Sequence, residues 1–516
     1  MSVHRYVIRH ILSLFCACGI LLAGLGDLTR PASADRVETY SSEEYKADLT
    51  KTYELLRKLH PNLTAHKSSK ELKTLFEELV TAAADGSTRE TVYMAISELV
   101  GFVCDEHTQV IYGDPNETDL IPQGWPWFTY PLMVNGGKLY MRIVLSGKAE
   151  EVLEIEGLSG KTIAANILKR VPMDGCGRDS HIDVNDTLPI NARIVAAMIG
   201  DRDKYHVRTR SLDRETIQTR EVERAASWET RMLSTRKFRL DRKIITGDLV
   251  DQKFDHHNGL LIKVRDADIY YRYSTSRNLA YVGIGSFKDF ERSEEGVELI
   301  MRDIIDRRPD AIFLDLVDNP GGSTHTGQHL MAFLLPRAHR VFSEAYVRDV
   351  SRKVPGNFKY FDEEAEKRRK SDARFFRKVR KKGGVRKAPI RKRSFGKPDY
   401  KGKIYVLVSP SSRSNAIRVA ATLKRLRKAT IVGSVTGTNV VTSCARAEGT
   451  YTLEHTGFQL RIPTICFRTK ENRFNEEHTL VPDIIVSPLD RIARNYNSAV
   501  LKTALKHYEE TRENGN

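Results

Sequence analysis

Ile404-Tyr405-Val406-Leu407-Val408-Ser409-Pro410-Ser411-Ser412-Arg413-Ser414-Asn415-Ala416-Ile417-Arg418-Val419-Ala420-Ala421 passes from an unbroken apolar run, through a serine-rich loop, into a helical pattern. An apolar run of that length bounded by turn residues reads as a strand buried on both faces. The helix is expected from Ser414 to Leu426, with a further strand at Thr430 to Gly433. Upstream the same alternation holds. Leu279 to Ile284 reads as a strand, Ser293 to Arg307 as a helix, and Ala311 to Leu316 as a strand that ends in Asp318-Asn319-Pro320-Gly321-Gly322. Gly322 leads into a helix through Leu335. Strands alternating with helices predict an α/β fold with a mostly parallel sheet covered by helices. In such folds sites form beyond the carboxyl ends of strands, where Gly321, Gly322 and Ser414 all fall.

The rest of the chain divides around this core. Residues 1–34 read as a signal peptide: Arg5 and Arg9 precede an apolar run from Ile11 to Leu25, and Ala32-Ser33-Ala34 is a small-residue cleavage site. The run is shorter than the roughly 20 residues a bilayer needs, so an exported protein, periplasmic or extracellular, with no transmembrane segment after processing is expected. Residues 35–124 form a helical N-terminal region, with Ser41 as a cap, helices over Tyr45 to Leu59, Ser69 to Ala83 and Arg89 to Val103, and Pro61 as a stop. It ends at Cys104-Asp105-Glu106-His107-Thr108, where Gln109-Val110-Ile111-Tyr112 turns strand-like. Short β runs over 125–245 predict a small β-rich domain. Residues 246–346 and 403–490 are the two parts of the core, 347–402 a basic insertion between them, and 491–516 a C-terminal helix and tail.

At 516 residues, 40% hydrophobic and 29% charged, the chain has a globular balance and length for two or three domains. The formal net charge is +16. The window Lys367–Lys403 holds 18 lysines and arginines against Asp372 and Asp399, which accounts for the whole excess. Basic residues crowded into one Gly- and Pro-punctuated insertion argue against nucleic-acid binding, which spreads them over a folded face among aromatics. The expectation is a mobile, solvated arm that is either a tolerated loop or an attractor of acidic partners. Cys16 and Cys18 leave with the signal. The remaining Cys104, Cys176, Cys444 and Cys466 do not have zinc-site spacing, so no metal and no cofactor is expected. Cys444 and Cys466 flank the β-like runs Thr450 to Leu453 and Phe458 to Ile462, which would set them opposite across a hairpin, either as a disulfide or as two buried thiols.

Ser414 at a loop-to-helix junction is either a nucleophile whose oxyanion meets the free N–H groups of the next helix, with Asn415 nearest, or an ordinary N-cap. The paired glycines either bring backbone N–H groups close to a ligand or merely permit a tight turn. His107 is a candidate base near neutral pH or a loop bystander. Glu476, in Asn475-Glu476-Glu477-His478, either orients a histidine or is solvated.

Asp105-Glu106-His107-Thr108, Tyr281 to Phe287, Asp315 to Gly322, the Ser414 segment, Ile431-Val432-Gly433 with Thr436-Gly437, and Pro482-Asp483 follow one another in this order. In that order they resemble the tail-specific (C-terminal-processing) serine peptidases, in the histidine-containing branch similar to tricorn-type and retinoid-binding-protein-like members. The resemblance implies a crotonase-like catalytic core in which Ser414 attacks a peptide carbonyl. His107 would be its base and Glu476 its support, and the oxyanion would be held by Gly321 or Gly322 and Asn415. The other branch carries a lysine in Gly-Lys-Gly, which here reads Gly437-Thr438-Asn439-Val440. Around the late glutamate the pattern reads Glu476-Glu477-His478-Thr479, which leaves Glu476 and Glu477 both open. The resulting expectation is a serine-type endopeptidase acting on periplasmic or extracellular polypeptides. The alternative is a binding protein that holds a peptide or apolar ligand on the same scaffold without turnover. Acyl-CoA chemistry fits poorly with export.

Overall fold

The computed structural model describes residues 39–112, 127–128, 132–142, 149–174, 182–183, 194–195, 197–200, 202–225, 269–287, 290–335, 339–348, 358–360, 363–379, 381–382, 385–390, 400–426, 428–469, 479–487 and 496–513. The expected signal peptide, Cys176, Glu476 and Glu477 lie outside them.

The core is a six-stranded sheet in the order Ile269–Ser274, Leu279–Ile284, Ala311–Asp315, Lys403–Val408, Ala429–Gly433, Ile484–Ile485. The first pair is antiparallel and every later pair is parallel. The central strands are buried along both faces, because helices cover both: Phe290–Arg307, Thr324–Leu334 and Asn415–Arg425 on one, Tyr496–Glu513 on the other. Ile404, Val406 and Val408 face the first layer while Tyr405 and Leu407 face the second, the period-two alternation of a strand with two apolar sides. The fold is therefore mixed α/β with a parallel core. It places the ends of Ala311–Asp315 and Lys403–Val408 side by side, and the two loops that follow them meet.

The N-terminal helices are Ser42–Leu59, Ser69–Ala82 and Arg89–Gly101. Ser41 and Glu44, then Ser68 and Glu71, form reciprocal capping boxes that satisfy otherwise orphaned N–H groups. These helices pack on the long hairpin Thr442–Thr452/Gln459–Arg468 through Tyr93, Tyr112, Phe458 and Leu460. Asp48, buried in the first helix, accepts from Thr456 N–H at 2.9 Å and Thr456 Oγ1 at 2.7 Å across that interface. Asp48→Ala should lower folding stability by about 2–4 kcal/mol, since it strands buried donors, and a shifted denaturant midpoint at unchanged slope would show it. The β-rich domain is an antiparallel sheet from Trp127–Phe128 to Ile217–Ala225 with the helix Gly160–Arg170 against it.

The basic insertion departs from expectation. Its described residues do not form a free arm. Phe358–Tyr360 pairs with the long hairpin and Val385–Pro389 pairs with Glu344–Val347, both within one seven-stranded sheet. The helix Glu363–Arg377 between them seats Phe376 in a small cluster with Val347, Ala388 and Ile465. A few well-placed apolar side chains anchor the segment while Lys367, Lys370, Arg374 and Arg377 remain at the surface, where their charge need not be desolvated.

Candidate active site

Ser414 sits where the loop after Lys403–Val408 enters the helix Asn415–Arg425. Its backbone is at φ 49° and ψ −121°, in a region that side-chain-bearing residues rarely adopt, and its side chain makes no capping hydrogen bond. An N-cap serine has an extended backbone and turns its oxygen back to the first helical N–H groups. Ser414 does neither. It is half-buried, its N–H donates to Thr438 Oγ1 at 3.1 Å, and its Oγ accepts from Arg418 Nη1 at 2.8 Å. The lysine-bearing position of the other branch is thus occupied by a threonine hydroxyl engaged with the backbone of Ser414. The preceding loop is fixed by its own serines: Ser412 Oγ donates to Leu316 O at 2.7 Å and accepts from Ser409 N–H at 2.8 Å.

The glycine turn abuts this serine. Arg413 N–H donates to Asn319 O at 2.9 Å, and buried Asn319 reaches Ile284 O through Nδ2 at 2.8 Å. A Cβ on Gly321 would lie 2.7 Å from Ser414 Cβ and 2.9 Å from Asn415 N. Gly321 N–H donates to Asn319 Oδ1 at 2.8 Å and so is already committed. The bridge to Phe287 uses Gly321 C=O and Ser323 N–H, which leaves Gly322 N–H out of the pairing. Asn415 N–H belongs to the first helical turn, whose donors a helix leaves unpaired, and its side chain is anchored to Ser323 O at 2.6 Å. Of the glycine pair it is Gly322, with Asn415, whose N–H groups can face an anion beside Ser414.

His107 lies in the loop between the helix Arg89–Gly101 and the strand Gln109–Ile111, with its side chain 14% exposed. Its Nδ1 is 3.7 Å from Asp105 Oδ1 and 3.9 Å from Glu106 Oε1. Asp105 is buried and accepts from Thr108 Oγ1 at 2.5 Å and from His107 N–H at 3.2 Å, and its Oδ2 lies 3.0 Å from His60 Nε2. Burial would raise its pKa, but the hydrogen bonds and charges of His107 and His60 outweigh that and hold the carboxyl well below the usual carboxylate range. Asp174 accepts from Glu106 N–H at 2.9 Å. Burial, then the nearby Glu106 and Asp105 carboxylates, push its pKa well above the ordinary aspartate value. Asp174, Glu106 and Asp105 in turn favour the charge on Arg418, whose pKa burial lowers. The histidine loop and the serine helix therefore meet electrostatically at Arg418. Asp105, His107 and Asp174 each bring one ligand-type atom within 4.8 Å of the others. The sulfurs of Cys444 and Cys466, near His60, are joined as a disulfide with Cα atoms 4.0 Å apart.

The raised Asp174 pKa carries a sign. An acid protonated more readily in the folded than in the unfolded chain costs nothing below its unfolded pKa and costs stability as pH rises from there to the folded value. Asp174→Asn keeps the acceptor for Glu106 N–H and removes the ionisation. Its thermal midpoint should match wild type near pH 3 and exceed it progressively toward neutral pH, with each displaced pKa unit equivalent to about 1.4 kcal/mol. Parallel midpoint curves for the two proteins over this range would refute it.

Residues 278–486, the part of the chain that carries the glycine turn and Ser414, match the model of peptidase family S41. Residues 278–486 thus carry a domain of peptidase family S41. The family is one of serine peptidases. Solved structures with the same fold include mature CPAF, at 14% identity and TM-score 0.56 with 90% of this chain and 96% of that one covered. A CPAF mutant aligns at 14% identity and TM-score 0.58, again over 90% and 96%. Mature CPAF complexed with lactacystin aligns at 14% and TM-score 0.55, over 90% and 97%. At that identity the likeness is one of fold, and it extends beyond the S41 domain to the N-terminal region and the β-rich domain. No curated protein matches the sequence. His60, Asp174 and Arg418, which lie around the histidine loop and Ser414, had no mark in the sequence beyond Arg418 standing one helical turn after Ser414.

Proposed function

We propose that the chain is an exported serine endopeptidase on a crotonase-like core, with Ser414 as nucleophile, His107 as base and the N–H groups of Gly322 and Asn415 as oxyanion hole. The observation that carries this reading is the uncapped, positive-φ serine packed against Gly321. A strained backbone whose hydroxyl makes no cap to the helix it precedes has no use in capping and an evident one in presenting a nucleophile. Ser414 Oγ attacks the peptide carbonyl carbon as His107 takes its proton, and the carbonyl oxygen gains charge beside the two N–H groups. The imidazolium then protonates the leaving amine, and water repeats the cycle in reverse roles on the acyl-enzyme. Asp105 stays ionised beside the histidine and stabilises its charged form, with Glu476 as a second carboxylate in the role given by the family pattern. Export follows from the N-terminal run and agrees with the Cys444–Cys466 disulfide, since such bonds persist in oxidising compartments. The exposed Lys367, Lys370, Arg374 and Arg377 would draw acidic polypeptides toward the protein through a salt-screened field.

A fluorophosphonate probe tests the reading. Labelling of wild type that vanishes in Ser414→Ala is the expected result. Absence of labelling in folded wild type across pH 5 to 9 would favour a binding protein without turnover.

A further inference from the structure

Resting on Ser414 as nucleophile, we infer that Arg418 is a further catalytic residue: its guanidinium stabilises the developing negative charge on the Ser414 oxygen while His107 removes the proton. Arg418 stands one turn into the helix that Ser414 precedes, so helical geometry returns its side chain to that serine. Nη1 donates to Ser414 Oγ at 2.8 Å, and Nη2 donates to Ser443 Oγ on the neighbouring hairpin. The plane is further fixed by the Phe342 ring, whose centroid is 5.4 Å from Cζ. Arg418 is 3% exposed. A buried guanidinium is expensive to desolvate, and its cost is offset here by the Glu106 and Asp105 carboxylates of the loop that carries the histidine. A cation tied to the nucleophile by one arm, to a second strand by another, and compensated by the carboxylates of the base's own loop is a built arrangement.

The contact uses a lone pair of Oγ and leaves the Oγ–H proton for the base. As that bond breaks, the proton goes to the imidazole and the electron pair of Oγ forms the new bond to the carbonyl carbon. Arg418 keeps all its protons throughout. A fixed, buried cationic donor at 2.8 Å lowers the energy of the oxygen at the moment its charge is greatest. It acts on the attacking oxygen, whereas Gly322 and Asn415 act on the carbonyl oxygen, so the two contributions are distinct.

The test reads the rate of Ser414 modification by a fluorophosphonate in wild type, Arg418→Lys and Arg418→Met, each scaled to its folded fraction from circular dichroism. Arg418→Met should label about 100-fold or more slowly, in the range of removing one charge-stabilising donor, and Arg418→Lys should fall between it and wild type. Removal of a cation near His107 also makes the imidazolium easier to form, so the acidic limb of the labelling profile should move to higher pH, which a purely structural loss would not do. If Arg418→Met does not fold, Arg418→Gln, likewise without the cation, takes its place, and its slowed rate and shifted limb decide the matter. A folded variant that labels within about threefold of wild type, or faster, would overturn the inference, the second case marking the contact as a restraint on Ser414. Absence of labelling in wild type itself would instead overturn the peptidase reading.

Discussion

Ser414→Ala and His107→Ala should each reduce turnover of an unstructured polypeptide substrate by about 10⁴-fold or more, with unfolding midpoints close to wild type. Neither side chain is part of the core: Ser414 is half-buried and makes no cap, and His107 sits in a loop supported by Asp105. The double variant should be little worse than either single one, because a nucleophile without its base and a base without its nucleophile both fall back on the oxyanion hole and binding alone. Steady-state rates for the three variants, with thermal melts as controls, check this. If His107→Ala kept more than about a tenth of the wild-type rate, a loss under ~1.4 kcal/mol, the base would have to be sought elsewhere.

Gly321→Ala should have the next largest effect. The residue has φ +97°, where an L side chain is strained, and its added methyl would meet Ser414 Cβ at 2.7 Å, Asn415 N at 2.9 Å and Arg413 O at 3.0 Å. None of these atoms is the end of a flexible side chain. Either the turn retreats, taking Gly322 N–H with it, or the serine helix does. A displacement near 1 Å between nucleophile and oxyanion donors costs on the order of 100-fold in rate, so kcat should fall at least that far while KM changes less. The unfolding midpoint should fall as well. Gly437→Ala is the control: a Cβ there has nothing within 4 Å, and activity should be retained. Equal behaviour of the two alanine variants would show that the close approach at Gly321 has no bearing on catalysis.

The parallel core was readable in the sequence because its strands are apolar on both faces and its helices are amphipathic, so Leu279–Ile284 and Lys403–Val408 announce themselves locally. The two loops after the strands were readable for a related reason: Asn319-Pro320-Gly321-Gly322 and the serine run are short-range turn chemistry. Local pattern could not show that Gly321 N–H is taken by Asn319 and Gly322 N–H is not, since this depends on the turn's conformation. Arg418, Asp174 and His60 were out of reach because they acquire meaning only from partners on other elements. A buried arginine looks like any other helical arginine until Ser443 and the Asp105 loop close around it. The basic segment misled in the opposite sense. Its charge density hid the sparse apolar positions, Phe376 and Ala388 among them, that pin it to the sheet.

The pairing of Gln109–Ile111 with Gln459–Arg461 has a consequence for when this protein becomes dangerous. The loop that holds His107 is fixed from residues made much later: Arg348 Nε donates to His60 O at 3.1 Å, and the hairpin beyond Ser414 supplies the strand on which Gln109–Ile111 rests. A chain emerging from the ribosome therefore displays its histidine segment first and its serine some 300 residues later, and still lacks the strand that docks the one against the other. Contacts so distant in sequence form late and slowly. Until that hairpin is made, the histidine segment lacks the strand it rests on, so a chain cut short before Gln459 should be inactive.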